Sequence, residues 1–242
     1  MAINVNTVYQ TVLFILNKEQ RGYMTPTEFN SIGNQVQLEI FEKYFDDLNQ
    51  QLRIPQADTD YADRVENIDE KIAIFKTFGN ANYVPSVATG AYFTLPTTDT
   101  YGTTVSFYRL GSVVYNSDTL VQRLDRTDFY RAEKSRLTKP TTSLPAYLYE
   151  NQKIFIKPTT IQSGVQVDYV RKPSDIVWGF TVGNLGQYSY QSSASTQFEL
   201  HESEQTDVIL NILIYAGIII RDPSIIQAAM KQVQDDEINS KS

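Results

Sequence analysis

A chain of 242 residues with 41% hydrophobic and 20% charged side chains has the balance of a folded protein, one large domain or two modest ones. Its 21 Lys and Arg against 28 Asp and Glu leave a net charge of −7, the wrong sign for a protein that holds nucleic acid by its phosphates, although such a chain can line a channel that DNA passes through without sticking. The absence of cysteine excludes disulfides, thiolate metal sites and a Cys nucleophile, and 1 histidine excludes metal binding by histidine pairs.

The first predicted element is a helix in NTVYQTVLFILNK, where Val5, Val8, Val12 and Ile15 or Leu16 recur at helical spacing. No basic segment followed by an apolar one precedes it, so no secretory leader is read there and a reducing cytoplasm is the expected place of folding. GYMT breaks the pattern. A second helix starts at Thr25-Pro26-Thr27-Glu28, with Thr25 as cap, Pro26 in the first helical position and Glu28 reaching back in a capping box. Its apolar stripe is Phe29, Ile32, Val36, Ile40, Phe41, Tyr44, Phe45, Leu48 and Leu52. Running to about Gln51, it would be about 39 Å long. Pro55 ends it, and Ala62, Val65, Ile68 and Ile72 mark a third amphipathic segment.

From about Phe78 to Phe180 the composition shifts to Gly, Pro, Thr and Tyr around short β-prone runs: AYFTL, TVSFYRL, SVVYN, YLYEN, KIFIKP and VQVDYVRKP. KIFIK and VQVDYV alternate, so each buries one face. Asn151-Gln152 reads as a hairpin tip between Tyr147–Tyr149 and Lys153–Lys157. RTDFYRAEKSRL reads as a short helix near 127–137, opened by Thr127 or Asp128. Gly79, Gly90, Gly102 and Gly111 read as turn residues. GQYSYQSSASTQF reads as an exposed loop or arm.

The last region holds TDVILNILIYAGIII, in which Asn211 is the single polar side chain between Val208 and Ile220. A bilayer span needs about 20 apolar residues, so no membrane partner is expected. A helix apolar on all sides must instead be enclosed, either by the chain's own helices and β region or by a neighbouring subunit. Glu199, Glu202 and Glu204 sit where its dipole favours negative charge. Arg221-Asp222-Pro223 then opens a final helix carrying Ile226, Met230 and Val233.

Little in the sequence points to catalysis. His201, in LHESE, has no marked nucleophile near it, and a solvated histidine is the simpler reading; a hydrolase built on His201 is the third-ranked alternative. Asp58-Thr59-Asp60 resembles the start of a calcium loop, but the glycine and distal glutamate are missing. There is no phosphate-binding glycine loop and no nucleophile elbow. No catalytic, metal or cofactor-binding residue is therefore assigned. Arg123, Arg126, Arg131, Lys134, Arg136 and Lys139 form a basic cluster, interleaved with Asp125, Asp128 and Glu133, and read as a solvated or intersubunit salt-bridging helix.

The β region is most informative as an ordered series. A short helix with a tyrosine is followed by Lys139-Pro140-Thr141-Thr142, and a Pro145-Ala146-Tyr147 strand leads by a hairpin into a strand ending Ile156-Lys157-Pro158. A last strand ends Tyr169-Val170-Arg171-Lys172-Pro173, with Trp178 after it. This order, between paired N-terminal helices and a helical C-terminus, resembles that of bacteriophage head-to-tail connector proteins: the tail tubular protein A type and the ring proteins of crAss-like phages. The long SVATGAYFTLPTTDTYGTTV and GQYSYQSSASTQF segments depart from the short adaptors of that group.

The resemblance implies a non-enzymatic structural protein of the virion, assembled in the host cytoplasm. It implies closed rings, commonly of twelve copies, contacting the portal protein and adjacent tail or ring proteins, with DNA crossing the lumen without sequence-specific binding. The expected fold class is α+β: an N-terminal helical hairpin (1–77) and C-terminal helices (199–242) forming a helical bundle, with an inserted, mainly antiparallel β-domain (78–198). Expected interface residues are Phe41, Tyr44, Arg171, Trp178, Phe180, Tyr188, Tyr190, Ile212 and Ile219. Trp178 could equally close the bottom of the β-domain core, and Arg171 could simply decorate its strand. The alternative from another class is a receptor- or carbohydrate-binding virion module, with Tyr188 and Tyr190 stacking on sugars.

Overall fold

The computed structural model describes all residues except 1, 19–22, 52–63, 87–89, 99–101, 103, 221–229, 232–233 and 235–242; the side chains of 18, 50, 51, 64 and 218–220 also lie outside the description. The fold is mixed α+β and divides into two compact units. Residues 75–172 form one unit, inserted between the two segments, 1–74 and 173–242, of the other. The expected β region, 78–198, therefore ends too late. The chain after Pro173 packs with the helices, because its buried residues Ile176, Trp178, Phe198 and Leu200 find their partners there.

In the helical unit, α1 (Val5–Lys18) buries Val5, Val8, Val12 and Leu16, as their spacing requires. The 26-residue α2 (Pro26–Gln51) opens with the capping box: the Thr25 backbone N–H donates to Glu28 Oε2 at 2.8 Å, and the Glu28 N–H donates back to Thr25 Oγ1 at 3.3 Å. The Thr25 backbone N–H and hydroxyl, both donating to Glu28 Oε2, hold the Glu28 carboxyl below its usual range. Phe29, Ile32, Val36, Ile40, Phe41, Tyr44 and Phe45 are buried as one stripe. Leu48 is half-buried, and Leu52, Pro55 and Ala62 lie outside the described residues. α3 (Arg64–Ala73) packs against α2 and buries Ile72.

Among the described residues, the β unit holds two sheets. One has the order β1-β9-β4-β5, from β1 (Lys76–Asn80), β4 (Phe107–Tyr115), β5 (Thr119–Leu120) and β9 (Val165–Arg171). The other has the order β2-β3-β8-β7-β6, from β2 (Asn82–Val84), β3 (Tyr92–Thr94), β6 (Gln122–Arg123), β7 (Ala146–Glu150) and β8 (Lys153–Lys157). A single apolar cluster takes Val113, Val167 and Tyr169 from the first sheet and Phe93, Tyr147 and Ile154 from the second. Asn151 and Gln152, at φ 50° and 56°, make the tight turn between β7 and β8.

Four expectations within this unit change. TVSFYRL and SVVYN belong to one irregular strand, β4, and Gly111 lies inside it where the register against β9 shifts. A Cβ on Gly111 would stand 3.0 Å from the Asp168 carbonyl oxygen, so close strand approach, not a turn, accounts for this glycine. Gly79 likewise lies within β1, against Pro96. The short helix, α4 (Arg126–Lys134), starts earlier than Thr127, with Asp125 at its cap position. It forms the crossover between β6 and β7, which pair in parallel.

The chain re-enters the helical unit as an extended segment, then as an antiparallel ribbon of β10 (Phe180–Val182) and β11 (Tyr188–Tyr190). GQYSYQSSASTQF stays largely exposed, as expected, but is no free arm: β11 pairs with β10, Thr196 bridges to Val177, and Phe198 bridges to Ile3. A 3-10 turn over Glu202–Glu204 leads into α5 (Gln205–Ile220), which packs against α1 and α2. α5 buries Val208, Ile212, Leu213 and Ala216, while Ile209, Leu210 and Ile214 remain half-buried. Among the described residues, no helix is long and apolar enough to cross a membrane. Arg221-Asp222-Pro223, Ile226 and Val233 fall outside the described residues, and the described Met230 is exposed.

Candidate functional site

The most ordered polar construction in the helical unit runs along α2. Asn30, Asn34 and Gln37 stand at helical spacing beside the apolar stripe, and each presents a side-chain amide to the extended segment Ser174–Trp178 or its neighbour. The Ile176 N–H donates to Asn34 Oδ1 at 2.6 Å, and Asn34 Nδ2 donates to the Ile176 carbonyl at 3.3 Å. The Trp178 N–H donates to Asn30 Oδ1 at 2.7 Å, and Asn30 Nδ2 donates to the Trp178 carbonyl at 3.4 Å. Gln37 donates to the Ser174 carbonyl at 2.8 Å and accepts from the Glu199 N–H at 2.9 Å. The amides thus serve as a strand partner for alternate residues of an extended chain, satisfying backbone groups that burial would otherwise strand.

This clamp positions the aromatic residues. Trp178 is 4% exposed; its Nε1 donates to Asn6 Oδ1 at 3.0 Å, and its ring meets Tyr9 at 4.5 Å and Tyr190 at 5.6 Å between centroids. Phe180 stacks on Trp178 at 6.0 Å, and Tyr188 meets Phe180 edge-on at 5.1 Å. The Tyr9 hydroxyl donates to the Met24 carbonyl, and burial holds it above the usual phenol range. Trp178, Phe180, Tyr188 and Tyr190 are therefore one cluster. Trp178 closes the helical unit, not the β-domain, and only Tyr188 and the ribbon's tip, with Val182 and Leu185, present much apolar surface.

The other expected interface residues are dispersed. Phe41, Tyr44 and Ile212 lie in the core of the helical unit, where the packing of α2 on α5 hides them from any outside contact in this conformation. The side chain of Ile219 lies outside the described residues. Arg171 sits at the end of β9 in the β unit, its guanidinium 5.8 Å from the Phe75 ring. Glu204, read as a dipole-favouring acid, is buried and ion-paired with Lys71. His201 caps the turn before α5, its Nδ1 accepting from the Ser203 N–H at 3.2 Å. Among the described residues no group of three His, Cys, Asp or Glu is placed to hold a metal ion; Asp58 and Asp60 are outside them.

No model of a known protein family matches this chain, and a search of curated proteins found no match either.

A second candidate surface lies on the β unit beside α4. A groove of about 620 Å³ there is lined by Leu124, Ala132, Leu137 and Leu144, with Arg131 and Lys139 also at its wall. Leu137 is 98% exposed and Leu144 78%, among the most exposed large apolar side chains described. The basic cluster is partly neutralised, since Arg126 pairs with Glu150 at 3.1 Å and Arg131 loosely with Asp128 at 3.8 Å, whereas the interleaved acid Glu133 is taken up by Lys157, outside the cluster, at 2.7 Å. Lys134, Arg136 and Lys139 are exposed and make no ion pair among the described residues.

The division into units also exposes a charge asymmetry that the whole-chain value conceals. Residues 75–172 carry 12 Lys and Arg against 7 Asp and Glu, a net of +5. The remainder carries 9 against 21, a net of −12, and the two sum to the −7 of the chain. Sequence reasoning missed both the amide clamp and this asymmetry. The available signals were the polar residues Asn30, Asn34 and Gln37 bordering an apolar stripe, and the clustering of acids outside 75–172.

Proposed function

We propose that this chain is a non-enzymatic structural protein of a bacteriophage particle, a head–tail connector or ring component that works by self-association. The observation that carries the reading is the ordered series from α4 through Lys139-Pro140, the Asn151-Gln152 hairpin and Ile156-Lys157-Pro158 to Tyr169-Val170-Arg171-Lys172-Pro173. The insertion of this series between two helical segments supports it, as does a helix α5 that keeps Ile209, Leu210 and Ile214 partly open.

In this reading the N-terminal helices and the C-terminal helices form the bundle that packs around a closed ring, commonly of twelve copies. The β unit meets the portal protein or the next tail or ring protein, and DNA crosses the lumen without base-specific contacts. The acidic helical unit suits a wall that repels phosphates. The test is direct: mass spectrometry and electron microscopy of purified particles should find the chain in many copies at the head–tail junction or in the tail. Its absence from purified virions overturns the proposal.

A further inference from the structure

The groove beside α4 sets exposed leucines beside Lys134, Arg136 and Lys139, which make no ion pair among the described residues, while the rest of the same chain carries a large excess of acid. We propose that this groove docks the acidic helical unit of a second copy of the chain, so that copies associate head to tail; the inference rests on the self-assembling reading above. Leu137 and Leu144 supply an apolar rim, and Arg131, Lys134, Arg136 and Lys139 the cations around it, with Asp128, paired to Arg131, also in the wall.

The complementary surface is on α2 and α3. Glu42 and Asp46 on α2 and Glu66 and Glu70 on α3 are exposed and spaced i,i+4. Like charges at that spacing are unfavourable in an isolated helix, so a cationic partner relieves repulsion already built into the fold. The occupant is a protein and not nucleic acid, because a phosphate backbone gives two protruding leucines nothing to bury, whereas α2 and α3 offer the half-buried Leu48, Val65 and Ile68 as well as acid. The two patches lie in different units of the chain. Such a contact joins unlike surfaces, and made head to tail it repeats from copy to copy until it closes into a ring or runs on as a filament.

The test uses the full-length chain in sedimentation velocity over a concentration series, at about 50 mM and about 500 mM salt, a range over which surface charge is progressively screened. Two charge-reversed variants are compared: Lys134→Glu/Arg136→Glu/Lys139→Glu, and Glu42→Lys/Asp46→Lys/Glu66→Lys/Glu70→Lys. All seven positions are exposed, and circular dichroism verifies that each variant folds. The unmodified chain should associate at low salt and dissociate at high salt. Either variant alone should associate about tenfold or more weakly, and mixing the two should restore the complex. Leu137→Ser, which leaves every charge in place, should also weaken it.

Association that is indifferent to either reversal, a monomer at every concentration in low salt, or a mixture of folded variants that stays apart would each overturn the proposal. So would a short DNA duplex that binds the groove and displaces the chain. These outcomes reject this contact alone, since membership of a particle is judged separately from purified virions.

Discussion

Replacing Asn34 by Ala removes one rung of the amide clamp and leaves the shape of α2 intact. Both backbone groups of Ile176 then lose their partner, and Ile176 is fully buried, with 0% of its surface exposed. An unsatisfied buried backbone group costs about 1–3 kcal/mol. The 2.6 Å bond from the Ile176 N–H carries the greater part, and the 3.3 Å bond to its carbonyl the lesser. The expected loss is therefore about 2–4 kcal/mol, tempered by whatever water follows into the space beside the half-buried Asn34. Trp178, the single tryptophan, lies two residues beyond Ile176 and is itself buried, so its fluorescence reports the loss of this region directly. Urea titration followed by that fluorescence should show a lower midpoint at nearly unchanged slope. Asn34→Asp should fall between the two, since it keeps an acceptor for the N–H and sets a carboxylate against the carbonyl. A loss below about 0.5 kcal/mol for Asn34→Ala would refute the clamp as a stabilising device.

Four further outcomes follow from the geometry. The Tyr44 hydroxyl is buried without a hydrogen-bond partner among the described residues, and burial, with Glu204 and Asp207 nearby, holds it far above the usual phenol range; Tyr44→Phe should leave stability unchanged or raise it by up to about 1 kcal/mol, and a loss larger than that in urea titration would contradict the reading. Thr25→Ala should cost about 1 kcal/mol by removing the helix cap. Because the folded Glu28 carboxyl is held low by Thr25, its contribution is present above the ordinary carboxylate range and lost as pH falls through the lowered value. The difference between the unmodified chain and Glu28→Gln, a fraction of a kcal/mol for so exposed a group, should accordingly vanish in acid; a difference that grows in acid would have the wrong sign. Gly111→Ala brings a methyl group to 3.0 Å from the Asp168 carbonyl, a backbone atom that cannot swing aside, so a loss of about 1–3 kcal/mol is expected, read as faster amide exchange along β4 and β9.

What could be read without coordinates was what neighbouring residues decide among themselves. The start of α2 is written in Thr25-Pro26-Thr27-Glu28, because a capping box closes within four residues, and the stripe from Phe29 to Phe45 is a matter of helical period. The hairpin at Asn151-Gln152 is equally local, since a two-residue turn at positive φ, a conformation Asn tolerates well, suffices to reverse a chain between alternating strands. Only the tertiary structure could place the chain from Pro173 to Leu200. It carries little regular pattern of its own, and its hydrogen-bond partners are amides on α2 at positions 142 residues earlier in the case of Asn34 and Ile176. Burial of Trp178 within the helical unit follows from that distant pairing, as does the fate of a segment that reads locally as an exposed arm. The charge asymmetry is of the same kind. Every Lys and Glu is visible in the sequence, but which of them share a unit depends on where the chain folds back, and that is set by long-range burial, not by any short run of residues.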